Sequence, residues 1–146
     1  MSSLLPIWGV FMTAQVAFAF APWAMLQLGN VDGVTVDLGA ALPFVAAVDL
    51  VLAVLLPRAL WRRAAETLAK TSGALKLTAA EIVKITAPGL ILQLVLLELI
   101  NLMGVLHAIM AQDPRFSAPY AAIAVLGTLL AIPKEATMRE RLARRG

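Results

Sequence analysis

Five polar side chains stand where the surrounding sequence is almost entirely hydrocarbon: Gln15, Asp49, Gln93, Glu98 and Asn101. That setting decides what chemistry they could do. Placing one carboxylate in the middle of a bilayer costs about 2.5 to 3.5 kcal/mol on insertion scales, so an acid there is paired, protonated or put to use. Asp49 has Ala46 and Ala53 as its helical neighbours, which turns it toward another helix. Glu98 and Asn101 lie one turn apart in a stripe that continues to Val105 and Ala108, with Gln93 on an adjacent arc. Two carboxylates facing one another would share a proton and could accept, relay or exchange it, while Gln15, Gln93 and Asn101 supply hydrogen bonds. This is the chemistry of a proton- or cation-linked transporter or channel. The same groups could serve acid/base steps in a membrane enzyme acting on a lipid or quinone. A neutral hydrogen-bonded pair that fixes helix register, in an accessory or assembly subunit of a larger membrane complex, is the competing expectation.

The remaining candidates offer less. The chain has no cysteine, which excludes disulfides, thiolate nucleophiles and cysteine-based metal sites. Its one histidine, His107, excludes a bis-histidine haem within one protomer and is expected to serve as an interfacial hydrogen-bonding group. Ser117, Asp113 and His107 have the residue types of a hydrolytic triad, but no nucleophile elbow surrounds the serine. No phosphate-binding glycine loop or HExxH spacing occurs, so no cofactor, metal or catalytic residue is assigned.

These side chains must be positioned by membrane helices. With 61% hydrophobic and 14% charged residues and a mean hydropathy of +0.87, the chain carries more apolar surface than a soluble domain of 146 residues could bury. The expected fold is an all-α membrane protein, a single four-helix transmembrane domain over 1–146, with spans at about 4–28, 38–56, 88–110 and 116–132. Trp8 and Trp23 stand near the two ends of the first span as interfacial anchors, and that span is read as a retained helix because no basic residue precedes it. Pro57 is expected to close the second span and Pro88 to kink or restart the third. Between them, Leu56, Leu60, Ala64 and Leu68 recur every four residues beside Trp61. This spacing predicts that the second helix continues as an amphipathic stem at the headgroup level, an amphipathic helical cytoplasmic loop between helices 2 and 3. Ser72-Gly73 breaks it, and Thr78 with Glu81 has capping-box spacing for the next helix.

Charge supplies the orientation. Six basic residues (Arg58, Arg62, Arg63, Lys70, Lys76 and Lys84) fall between the second and third spans, and five (Lys134, Arg139, Arg141, Arg144 and Arg145) follow the fourth. Arg115 alone falls on the other side. This asymmetry places both termini and the middle loop in the cytoplasm, against anionic headgroups, and explains the basic pI without nucleic acid. The Ala-, Leu- and Arg-rich composition fits a bacterial inner membrane. Small residues recur as packing seams: Ala14, Ala17, Ala21 and Ala24; Gly39, Ala46 and Ala53, with Asp49 in the same row; Ala121, Ala124, Thr128 and Ala131. A compact bundle, alone, as a homo-oligomer or within a larger complex, is expected. At about 1.5 Å per residue from the cytoplasmic ends, Gln15, Asp49 and Glu98 all fall near the midplane.

Overall fold

The structure, a computed structural model, describes residues 4–29, 40–71 and 78–134. The turn-rich stretch at 30–39, the Ser72-Gly73 break and the C-terminal arginine cluster lie outside these residues. The elements run α1 (Leu4–Gln27), α2 (Ala41–Thr71), α3 (Ala79–Ala111), a 3₁₀ turn (Pro114–Ser117) and α4 (Ala118–Leu130). The helices α1 to α3 each contain a stretch long and apolar enough to cross a membrane: Leu4–Gln27, Ala41–Thr67 and Ala80–Ala111. This is a small multi-span membrane protein built as a four-helix arrangement.

The start of α3 follows from its cap. The Thr78 hydroxyl accepts the Glu81 amide while the Glu81 carboxylate takes the Thr78 amide at 2.8 Å, so two orphan donors are satisfied reciprocally. Pro57, expected to close the second span, lies inside α2, and Pro88, expected to kink or restart the third helix, lies inside α3. Membrane helices tolerate such residues where packed neighbours re-satisfy the backbone. The second helix therefore continues past Pro57 as the expected stem, through Thr71. Within it the buried row is Pro57, Trp61 and Ala65, one residue later than the expected stripe; Leu56 and Leu60 are exposed. Trp61 sets that rotation, because its indole N–H donates to the Thr86 carbonyl at 3.1 Å and its ring lies where a Cβ on Gly89 would stand.

The fourth run departs most from expectation. Asp113 caps the Arg115 amide at 2.9 Å, Pro114 follows it, and Ser117 Oγ donates back to the Pro114 carbonyl, so residues 114–117 wind as a 3₁₀ turn. Only Ala118–Leu130 is α-helical. Its 13 residues are about 20 Å long, short of the roughly 30 Å of a hydrocarbon core.

Helix α3 is the centre, touched by α1, α2 and α4; α1 also packs on α4, and α2 leans on α3 without packing along α4. At one end Leu4 of α1, Ala65 of α2, Ile82 of α3 and Ala131, which caps the C-terminus of α4, share an apolar cluster with Leu90 and Leu94. Consecutive helices thus alternate in direction, and the first and last described segments lie at the same end. Exposed Arg58, Arg62, Arg63, Lys84 and Lys134 gather toward this end, whereas Arg115 is at the other. A second cluster joins Ala46 and Ala53 of α2 to Leu96, Leu97 and Ile100 of α3 and Tyr120 of α4.

Candidate functional site

Of the five predicted polar residues, the structure joins two. Gln15 and Asn101 are both fully buried. The Asn101 amide donates to Gln15 Oε1 at 2.7 Å and to the Gln15 backbone carbonyl at 2.8 Å, tying α1 to α3. Gln15 Nε2 and Asn101 Oδ1 are buried without a hydrogen-bond partner. Gln93 lies eight residues before Asn101, about 12 Å down the helix, and its buried Oε1 is also unpartnered.

Asp49 and Glu98 are each half-buried, and no hydrogen bond or ion pair joins them among the described residues. Helical phase shows why. Asp49 stands in the α2 row of Ala46 and Ala53, which packs against Leu96 and Ile100. Glu98 sits midway between those two residues in sequence, so at about 100° per residue it points about 160° away from both. The facing pair of carboxylates expected from the sequence is replaced by two acids on different flanks of α3. The triad types are likewise dispersed: Ser117 bonds to Pro114, Asp113 caps Arg115, and His107 turns to Tyr120. Among the described residues no three His, Asp or Glu side chains gather as a metal site.

The feature that sequence reasoning missed is a cleft of about 340 Å³ between α2 and α4, floored by α3. Ala46 and Leu50 form one wall, Phe116 and Ile123 the other, and Ile100 the floor. Pro43 and Pro119 stand on its exposed rim, each in the first turn of its helix, where proline removes an amide that would have no acceptor. The polar side chains in its lining are His107 and Tyr120, with His107 Nδ1 and the Tyr120 hydroxyl 2.9 Å apart. The His107 ring lies 4.8 Å from that of Phe116 and meets the Tyr120 ring edge-on at 5.8 Å.

Local sequence builds this corner. Gln112 ends α3 in the left-handed region at φ 54°, and the capped Asp113-Pro114 turn sends the chain back, bringing Phe116 and Tyr120 over His107. Gly104, one turn before His107, lets Tyr120 approach: a Cβ there would stand 2.6 Å from Tyr120 Cβ. The one legible signal was the placement of a histidine, a phenylalanine and a tyrosine around a tight turn. Their shared cavity needed α2, whose position no local motif announces. No protein-family model, curated protein or solved structure matches this chain.

Proposed function

We propose that this protein holds a membrane-dissolved, chain-bearing molecule in the cleft between α2 and α4, the lipid- or quinone-directed reading of the sequence. One observation carries it: a carbon-lined cavity, open at the side where α2 does not pack along α4. Ligand sites are concave and mainly apolar, with few polar groups to set orientation. The positive-inside rule supports a cytoplasmic basic end, where Arg63, Lys84 and Lys134 meet anionic headgroups. The cleft then opens into the outer half of the bilayer, because His107 lies four residues, about 6 Å, from the end of α3.

The test is to fill the cleft. Ala47 is exposed on its lining, so Ala47→Phe should leave stability within about 0.5 kcal/mol while reducing photo-crosslinking to a diazirine-bearing acyl lipid at least several-fold. Equal labelling of both proteins would remove the reading.

A second reading, proton- or cation-linked transport, draws support from Asp49, a half-buried acid in the apolar row between Ala46 and Ala53. It requires pH-dependent flux in proteoliposomes that Asp49→Asn abolishes and Glu98→Gln reduces.

A further inference from the structure

We infer that the outer end of the bundle holds the head group of a zwitterionic aminophospholipid, with its phosphate at Arg115 and its ammonium at Asp113. The site is a depression of about 400 Å³ formed by Trp23 of α1 and by Gln112, Asp113, Pro114 and Arg115 of the turn that joins α3 to α4. It shares no lining residue with the cleft, and where the cleft is walled by carbon this lining is mainly polar.

The hydrogen bonds already made within the turn decide what it has left to offer. Gln112 Nε2 donates to the Ile109 carbonyl at 2.9 Å, which fixes the orientation of the amide and leaves Oε1 as an acceptor. Asp113 Oδ1 accepts the Arg115 backbone amide at 2.9 Å, a single bond on a carboxylate with room for about four. Among the described residues the Arg115 guanidinium makes no ion pair and the Trp23 indole N–H no hydrogen bond. The depression thus joins two unspent donors, one of them a cation, to two unspent acceptors, one of them an anion. A phosphate takes the guanidinium fork and the indole N–H. A primary ammonium brings N–H donors to Asp113 and Gln112. A head with only one sign of charge would meet its own sign at Asp113 or at Arg115.

Depth selects the carrier of that zwitterion. Trp23 lies four residues, about 6 Å, from the last residue of α1, and it is 48% exposed. Arg115 is the only Lys or Arg at this end among the described residues. Indoles concentrate where lipid head groups lie, so a phospholipid is the zwitterion that meets this depression. A trimethylated amine keeps the charge and loses every N–H, so an ethanolamine head fits better than a choline head.

The experiment titrates the full chain in detergent with phosphatidylethanolamine, phosphatidylcholine and phosphatidylglycerol of identical dioleoyl chains, and counts bound lipid by native mass spectrometry. The ethanolamine lipid should bind about 3- to 5-fold more tightly than either of the others, as partly exposed charge pairs imply. Asp113→Asn keeps the side-chain oxygen that caps the Arg115 amide, so the turn stays folded, and it should make the ethanolamine and choline lipids equal. Arg115→Gln should weaken the ethanolamine and glycerol lipids alike. Ala47→Phe, which fills the cleft, should leave all these ratios unchanged, so failure here and failure of the cleft reading are read separately. Tightest binding of the glycerol lipid would show Arg115 acting on a phosphate alone and overturns the role of Asp113. Equal affinity for the three lipids, or an ethanolamine preference that survives both substitutions in the turn, overturns the site.

Discussion

The two sides of α3 are built by different rules. On the side of α1 and α4 the helices close completely: Gln15 and Asn101 meet in the interior, the Trp8 indole donates to the Thr128 carbonyl at 2.7 Å, and Ala121, Ala124, Thr128 and Ala131 are all buried. On the side of α2 the contact is tight at the basic end, through Trp61 and Gly89, and gives way to the cleft at the other. Lipid tails are as apolar as leucine, so no water-driven force squeezes membrane helices together. Closeness comes from small residues and from polar groups that need partners. The difference teaches where function can sit in so small a bundle. The sealed side spends its polar groups on holding α1, whereas the α2 side keeps a histidine and a tyrosine in a lateral opening.

The largest expected effect breaks the comparison at the hinge between the two sides. Gly104 meets Tyr120 at Cβ, an atom fixed to the α4 backbone, so Gly104→Ala must push the helix itself and should cost about 3 kcal/mol of unfolding free energy. At Gly127 the nearest atoms are the methyl ends of Leu97, which can rotate away. Gly127→Ala should cost about 1 kcal/mol or less by the same chemical denaturation in detergent. Equal losses would mean that α4 is not held by backbone approach. Next is the sealed core: Asn101→Ala leaves Gln15 Oε1 without its donor and should cost about 2 kcal/mol, with photo-crosslinking of the cleft to the acyl lipid unchanged. A Gln15→Ala, Asn101→Ala double-mutant cycle should give a coupling of about 1 kcal/mol. A coupling near zero would leave the pair without a role in tying α1 to α3.

How much of this was legible depended on how local each determinant is. The capping box at Thr78 and Glu81 was readable because both partners lie within one turn. The small-residue seam of α4 was readable because Ala121, Ala124, Thr128 and Ala131 all bury one face. The seam assigned to α1 was not: Leu4, Gln15 and Pro22 are buried, while Ala17 and Ala24 are exposed. In an alanine-rich helix several stripes look alike, and the choice falls to whichever row holds the residue that needs a partner, here Gln15. The same rule explains α2, where Trp61 draws its own row inward in place of Leu60. Asp49 and Glu98 were each sensibly identified as costly, but their meeting required two helices to face one another. A rotation of two residues on α3 is enough to turn the carboxylates apart. His107 was visible as a hydrogen-bonding residue, and its place in a cleft became visible only with α2 in position.

The smallest expected effect sharpens the contrast most, because it acts on geometry more than on stability. If α2 is anchored at Trp61 and open at Pro43, the indole is a pivot for the cleft about 18 residues, or some 27 Å, away. Trp61→Phe removes one hydrogen bond to the Thr86 carbonyl while keeping a ring over Gly89, and should cost about 1 kcal/mol. Spin labels at Ala47 and Ile123, on opposite sides of the cleft, should then report a broadened distance distribution. A second pair, at Ala17 on α1 and Leu126 on α4, should keep its wild-type width, since Trp8 and the Gln15–Asn101 bonds hold those helices independently of α2. Broadening of both pairs would show the bundle to be one cooperative unit. Broadening of neither would show that α2 is fixed along its whole length and that the cleft is a rigid cavity, to which a ligand must conform without any help from the helix beside it.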